Sequence, residues 1–103
     1  YITAGADDSA IYLLGKDGTL RWKYSTVDPV ETVAMSRDGD TIAAGSDDHT
    51  IYCFDRSGAL LWMYQTGGNV RSVSVSGDGK YVAAGSEDGN VYLFSRDGID
   101  NNT

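Results

Sequence analysis

The sequence predicts an all-β fold, a β-propeller of four-stranded blades, on three observations. A block of about forty residues recurs along the chain without gaps, a period that marks propeller blades. Short runs of β-branched, aromatic and small apolar residues alternate with turns that carry Asp and Gly. No stretch sustains the i, i+3, i+4, i+7 apolar spacing of a helix over ten or more residues, so essentially no helix is expected.

The repeat is plain when the units are aligned. Tyr1-Ile-Thr-Ala-Gly-Ala-Asp-Asp8 returns as Thr41-Ile-Ala-Ala-Gly-Ser-Asp-Asp48 and again as Tyr81-Val-Ala-Ala-Gly-Ser-Glu-Asp88. Ile11-Tyr12 becomes Ile51-Tyr52 and Val91-Tyr92, and Trp22-Lys-Tyr24 becomes Trp62-Met-Tyr64. Seventeen of forty positions are identical between residues 1–40 and 41–80. The chain therefore reads as one partial propeller domain, 1–103, with units 1–40, 41–80 and an incomplete 81–103.

Each unit resolves into four strands, labelled a to d. In the central one, Val30–Ser36 is strand a and Arg37–Asp40 its turn. Thr41–Ser46 is strand b, followed by the turn Asp47–His49. Thr50–Asp55 is strand c, Arg56–Gly58 turns, and Leu60–Gln65 is strand d. Asp-Gly at 17–18, 38–39, 78–79 and 97–98 predicts hairpins with type I′ turns, in which both central residues take positive φ. In chain order the strands run bcd-abcd-abc, about 2.5 blades. The apolar pattern of strand d is gone after Leu60 becomes Asp100, so a frayed end is expected there.

Composition narrows the function. One cysteine in 103 residues excludes a disulfide framework or a Cys-rich zinc module. The net charge of -7 argues against nucleic acid, whose phosphates call for a basic face. No apolar run approaches the roughly 20 residues of a membrane helix, so no membrane insertion is expected. Acidic charge and Gly-rich turns fit a cell-surface or secreted repeat protein, and a cytoplasmic one nearly as well.

The repeated residues have physical roles. Small residues at Ala4-Gly5, Ala44-Gly45 and Ala84-Gly85 on strand b let neighbouring backbones approach. Ile11, Ile51 and Val91 on strand c pack between blades. Tyr12, Tyr52 and Tyr92 point the other way and keep a hydroxyl near a polar partner. Trp22 and Trp62, with Tyr24 and Tyr64, make strand d the largest apolar surface and read as plugs between blades. Asp8, Asp48 and Asp88 close the b–c turn. A ring of carboxylates holding calcium is the competing reading, but turn capping by Asp explains the recurrence and neighbouring pairs stand too far apart to share an ion. His49, the only histidine, reads as exposed at a turn tip, and Cys53, aligned with Leu13 and Leu93, as a small core hydrophobe. No catalytic residue, metal site or cofactor is expected.

The string Ala44-Gly-Ser-Asp-Asp-His-Thr-Ile-Tyr-Cys-Phe-Asp55 resembles the b-to-c half of a WD repeat, with Phe54-Asp55 in place of Trp-Asp. Ser76-Gly-Asp-Gly79 is similar to that family's turn before strand b. The pair is Leu14-Gly15 and Phe94-Ser95 in the other units, and the family's Gly-His is Gly67-Gly68, so its buried hydrogen-bond tetrad does not carry over. Strand d, Gly58-Ala-Leu-Leu-Trp62 with Thr66-Gly67 after it, is similar to PQQ-like, quinoprotein-type repeats. The resemblance implies a propeller and leaves function open. The expectation is a non-catalytic scaffold that binds protein and completes its ring within a larger propeller or by homo-oligomerisation through blade edges and faces. The alternative is a segment of a quinoprotein or sugar-binding propeller.

Overall fold

The computed structural model describes residues 2–6, 9–96 and 98–102, with the backbone course alone for 2, 4–6 and 98–102. Eleven antiparallel strands form three sheets among these residues. The first holds β1 (Ile2–Ala6), β2 (Ala10–Leu14) and β3 (Leu20–Ser25). The second holds β4 (Val30–Met35), β5 (Ile42–Ser46), β6 (Thr50–Phe54) and β7 (Leu60–Gln65). The third holds β8 (Val70–Val75), β9 (Tyr81–Ser86), β10 (Val91–Ser95) and β11 (Gly98–Asn102). Every sheet is a meander whose neighbours in space are neighbours in sequence, as expected for blades joined by short connections.

One strand exceeds the expected ten. β11 pairs with β10 through Leu93↔Asn102 and Ser95↔Gly98, with a register shift between them. An outermost strand can form on backbone pairing alone, so the loss of apolar alternation after Leu93 did not end the sheet.

Register recurs with the repeat. Ala4↔Tyr12, Ala44↔Tyr52 and Ala84↔Tyr92 face each other, as do Gly5↔Ile11, Gly45↔Ile51 and Gly85↔Val91. A small residue on strand b thus stands opposite each bulky one on strand c, and the sheet keeps an even thickness. The same one-residue shift occurs between Val30 and Thr32 and between Val70 and Ser72.

The Asp-Gly turns differ from the expected type. Gly18, Gly39 and Gly79 have positive φ (87°, 78° and 76°), whereas Asp17, Asp38 and Asp78 do not. In the turn at 36–41, Gly39 N–H donates to Ser36 O and Ser36 N–H to Thr41 O. The loop is four residues long, and a type I turn ending on a left-handed glycine closes that length where a two-residue loop needs type I′.

Two cores lie between the sheets. Ile11 and Leu13 of the first sheet meet Ile42, Ala44 and Phe54 of the second. Ile51, Cys53 and Trp62 of the second meet Val70, Val82 and Phe94 of the third. The two junctions use equivalent positions, so one interface is built twice.

Candidate functional site

Three features recur at the junctions and give the molecule its chemistry. The first is a tryptophan seat. Trp22 Nε1 donates to Arg56 O at 2.9 Å, and Trp62 Nε1 to Arg96 O at 3.0 Å. Each indole also packs on the phenylalanine of the following sheet, with centroids 5.2 Å apart for Trp22–Phe54 and 4.7 Å for Trp62–Phe94. The ring buries its apolar area and its single polar atom is satisfied by the neighbour's backbone. Gly58, at φ +93°, lies on Trp22, where an added Cβ would stand 3.0 Å from the ring. Tyr24 and Tyr64 extend the same aromatic layer against Phe54 and Phe94. Trp22 and Trp62 thus stand at the first and second junctions between sheets.

The second feature is a Tyr–Asp clasp over the b–c turn. Tyr52 OH donates to Asp48 Oδ2 at 2.7 Å, while Asp48 Oδ1 accepts from Thr50 N–H at 3.0 Å. In the next sheet, Tyr92 OH donates to Asp88 Oδ2 at 2.6 Å and Asn90 N–H to Asp88 Oδ1 at 2.9 Å. Asp88 Oδ2 also accepts from Gly67 N–H at 2.9 Å, tying the turn to the link between sheets. Burial first, and the Asp48 bond second, push the Tyr52 phenol well above its ordinary range. The Tyr92 hydroxyl holds the Asp88 carboxyl below its usual range. These carboxylates are engaged as turn residues. Asp7 and Asp8 lie outside the described residues.

His49 departs from the expected exposed tip. It is half-buried with φ 75°, and its carbonyl accepts from both Thr66 N–H (2.7 Å) and Thr66 Oγ1 (2.9 Å). Its backbone does the work at that position. Cys53 is fully buried, and burial pushes its thiol up to about 12.

The third feature is a glycine notch. Val70, the first residue of strand a in the third sheet, seats in the notch of Gly45. A Cβ added at Gly45 would stand 2.8 Å from Val70 Cβ and 2.9 Å from Thr32 Cγ2, and closer still to Val70 Cγ1. At Gly85 the notch is vacant, and an added Cβ meets only Ser72 Oγ, at 3.0 Å. This face of the third sheet forms an open pocket of about 240 Å³ lined by Ser72, Ala83, Gly85 and Val91. Val91 is 67% exposed and Leu93 42%, whereas Ile11, Leu13, Ile51 and Cys53 are all at 0%. The expected inter-blade role thus holds for Ile11 and Ile51, and Val91 presents the same surface uncovered.

A groove of about 420 Å³ opens at the first junction, lined by Arg21, Trp22, Asp40, Asp55, Arg56 and Ser57. Arg56 Nη2 donates to Asp38 O at 2.9 Å. Asp55 accepts from Ser57 N–H, Ser57 Oγ and Ala59 N–H, which holds its carboxyl low and folds it into the turn. At the second junction Leu61 replaces Arg21, and Arg96 reaches Asp40 at 3.3 Å. Sequence reasoning missed this groove. Its only signal is a basic residue, Arg21, at the strand d position where the next unit carries Leu61.

Stacked antiparallel meander sheets, one of three described strands and two of four, with one interface used twice define a β-propeller domain. Residues 35–103, more than half of the chain, match the model of the Lambda-carrageenase beta-propeller domain, and the chain belongs to that family. Among curated proteins none matches it. No helix among the described residues is long and apolar enough to cross a membrane.

Proposed function

We propose that this propeller domain is a non-catalytic scaffold that binds protein, and that its copies associate through the blade face left open on the third sheet. The observation that carries the reading is the exposure of Val91 and Leu93 where every counterpart is buried. Burying apolar surface stabilises at about 25 cal/mol per Å², and a vacant notch shaped like an occupied one selects a blade-like partner. The repeated carboxylates support a structural role, since Asp38, Asp48, Asp55, Asp78 and Asp88 each cap a turn. The likeness of strand d to quinoprotein-type repeats, and of the Ser-x-Asp-Gly turns to WD repeats, is on this reading shared packing, with no cofactor.

Light scattering on a sizing column over a concentration series tests it. The expected result is a discrete oligomer for the native chain and a monomer for Val91→Glu. A native chain that stays monomeric at every concentration would remove the association.

A second reading is favoured by the family description and by the groove at the first junction. The family's name, after a lambda-carrageenase, suggests a carrageenan ligand, and Arg21 and Arg56 line the groove with Trp22. The overall charge of -7 opposes a polyanion, but charges beyond a Debye length of about 8 Å are screened at physiological salt. Titration with carrageenan oligosaccharides, followed by Trp fluorescence and repeated on Trp22→Phe, separates this reading from a purely protein-binding one.

A further inference from the structure

The two junctions follow one packing plan, and they differ where the link between sheets meets the b–c turn. At the second junction the link is Gly67-Gly68, and it closes onto the turn. Gly67 N–H donates to Asp88 Oδ2 at 2.9 Å, and a Cβ added at Gly68 would stand 2.8 Å from Asp88 N. At the first junction the same two places hold Val27 and Asp28. There the link, the b–c turn and β7 of the second sheet enclose a pocket of about 410 Å³. Val27, Tyr52 and Met63 give it an apolar wall, with Val27 and Met63 exposed, and Asp28, Asp47 and Asp48 give it three carboxylates.

No ion pair among the described residues neutralises any of the three. For Asp47 the repeat itself explains why. Its counterpart Glu87 accepts from Arg71 Nε at 2.6 Å, but the residue that corresponds to Arg71 one unit earlier is Glu31. Arg71 also donates to that Glu31, at 3.0 Å, and acts on Asp47 only across a longer gap. Asp47 Oδ1 is buried and accepts no hydrogen bond. A carboxylate held from water without a partner is costly, and a cation brought beside it offsets that cost. A metal needs ligands that converge, and among the described residues no group of three His, Cys, Asp or Glu side chains does so. Carboxylates beside an apolar wall suit instead an ammonium at the end of an alkyl stem, which is the side chain of lysine.

We propose that this pocket docks a lysine-bearing extended segment of a protein partner, with the alkyl stem on Val27 and Met63 and the ammonium among Asp28, Asp47 and Asp48. The inference rests on the reading of the domain as a protein-binding scaffold and names the chemistry of its partner. The pocket lies between the first and second sheets, apart from the Val91 face, so docking and association of copies fail separately.

The test is fluorescence anisotropy of the full chain with a labelled synthetic peptide, Gly-Lys-Leu-Lys-Leu-Gly, and with the same peptide acetylated on both lysines. The first should bind saturably. The second keeps the stems and loses the charges, and should bind about tenfold more weakly or worse. Asp47→Asn should weaken binding about threefold, and Val27→Gly, which installs the residue of the closed junction, should weaken it too. Glu87→Gln removes one negative charge at the closed junction and should leave the affinity unchanged, which separates the pocket from the general acidity of a chain of net charge -7. Absence of saturable binding, equal binding of the acetylated peptide, or equal losses from Asp47→Asn and Glu87→Gln would overturn the site. The Val91→Glu chain should bind the peptide as the native chain does. An oligomer that persists without peptide binding removes this site alone, and peptide binding by a chain that never associates removes the association alone.

Discussion

Adding one methyl group at Gly45 and at Gly85 separates an occupied notch from a vacant one. The two glycines hold the same place in the repeat and face the same way, opposite Ile51 and Val91. At Gly45 a Cβ would meet Val70 Cβ at 2.8 Å and Thr32 Cγ2 at 2.9 Å, distances that packed carbons do not sustain. Val70 is fully buried at the second junction, so relief requires the third sheet to move off the second. Overpacking of this kind costs about 1–3 kcal/mol, less the few tenths to about 1 kcal/mol that Gly→Ala returns by stiffening the unfolded chain. The net loss for Gly45→Ala is about 1–2 kcal/mol. At about 4–8 °C per kcal/mol for a domain of this size, Tm should fall by roughly 4–16 °C. At Gly85 only Ser72 Oγ stands at 3.0 Å, on a side chain that can rotate. Gly85→Ala should therefore be neutral or stabilising by up to about 1 kcal/mol. Thermal melts by circular dichroism, on samples dilute enough to be monomeric, read both. Equal stability of the two variants, or a larger loss at Gly85, would refute the claim that one junction is filled and the other open. The same Gly85→Ala protein should also associate less well if a neighbour uses that notch.

Three further outcomes follow from the geometry. Tyr52→Phe removes the clasp on Asp48 and should cost about 1.5–3 kcal/mol in urea denaturation, the range of a hydrogen bond to a charged group. Cys53 should resist thiol reagents in the native chain and react at once in denaturant, because its thiol is buried and titrates only near about 12. Acid should weaken the fold. Serine or threonine hydroxyls hold Asp38, Asp55, Asp78 and Asp17 below their ordinary range, and the Tyr92 hydroxyl does so for Asp88. Protons then bind the unfolded chain first, so stability is full above the ordinary carboxylate range of about pH 4 and falls as pH drops through the folded values. A Tm that rises between pH 5 and pH 3 would contradict these assignments.

Much of this was legible in the residues themselves. The forty-residue period fixed the sheets, and the spacing of Trp22 and Trp62 placed them at successive junctions. The alternation of Ile51 and Cys53 against Tyr52 and Phe54 told the two faces of strand c apart. What escaped has physical reasons. β11 carries no apolar alternation, because an outer strand can rest on backbone pairing. The turn at Asp38-Gly39 depends on loop length, which the dipeptide alone does not reveal. The Tyr52–Asp48 clasp joins two residues each understood separately, one as a capper and one as a tyrosine in search of a polar partner. The openness of the Val91 face is a property of the neighbour and is written nowhere in Val91, whose aligned partners are Ile11 and Ile51.

Residue-resolved hydrogen exchange at two protein concentrations tests the account most directly. The second sheet is covered on both faces and the third on one, and on the proposed reading the remaining face takes up another copy. The account predicts that amides of β5 and β6 exchange slowest at both concentrations. Those of β9 and β10 should exchange faster when dilute and become protected as concentration rises. Protection in β9 and β10 that equals β5 and β6 in dilute solution and does not respond to concentration would contradict it.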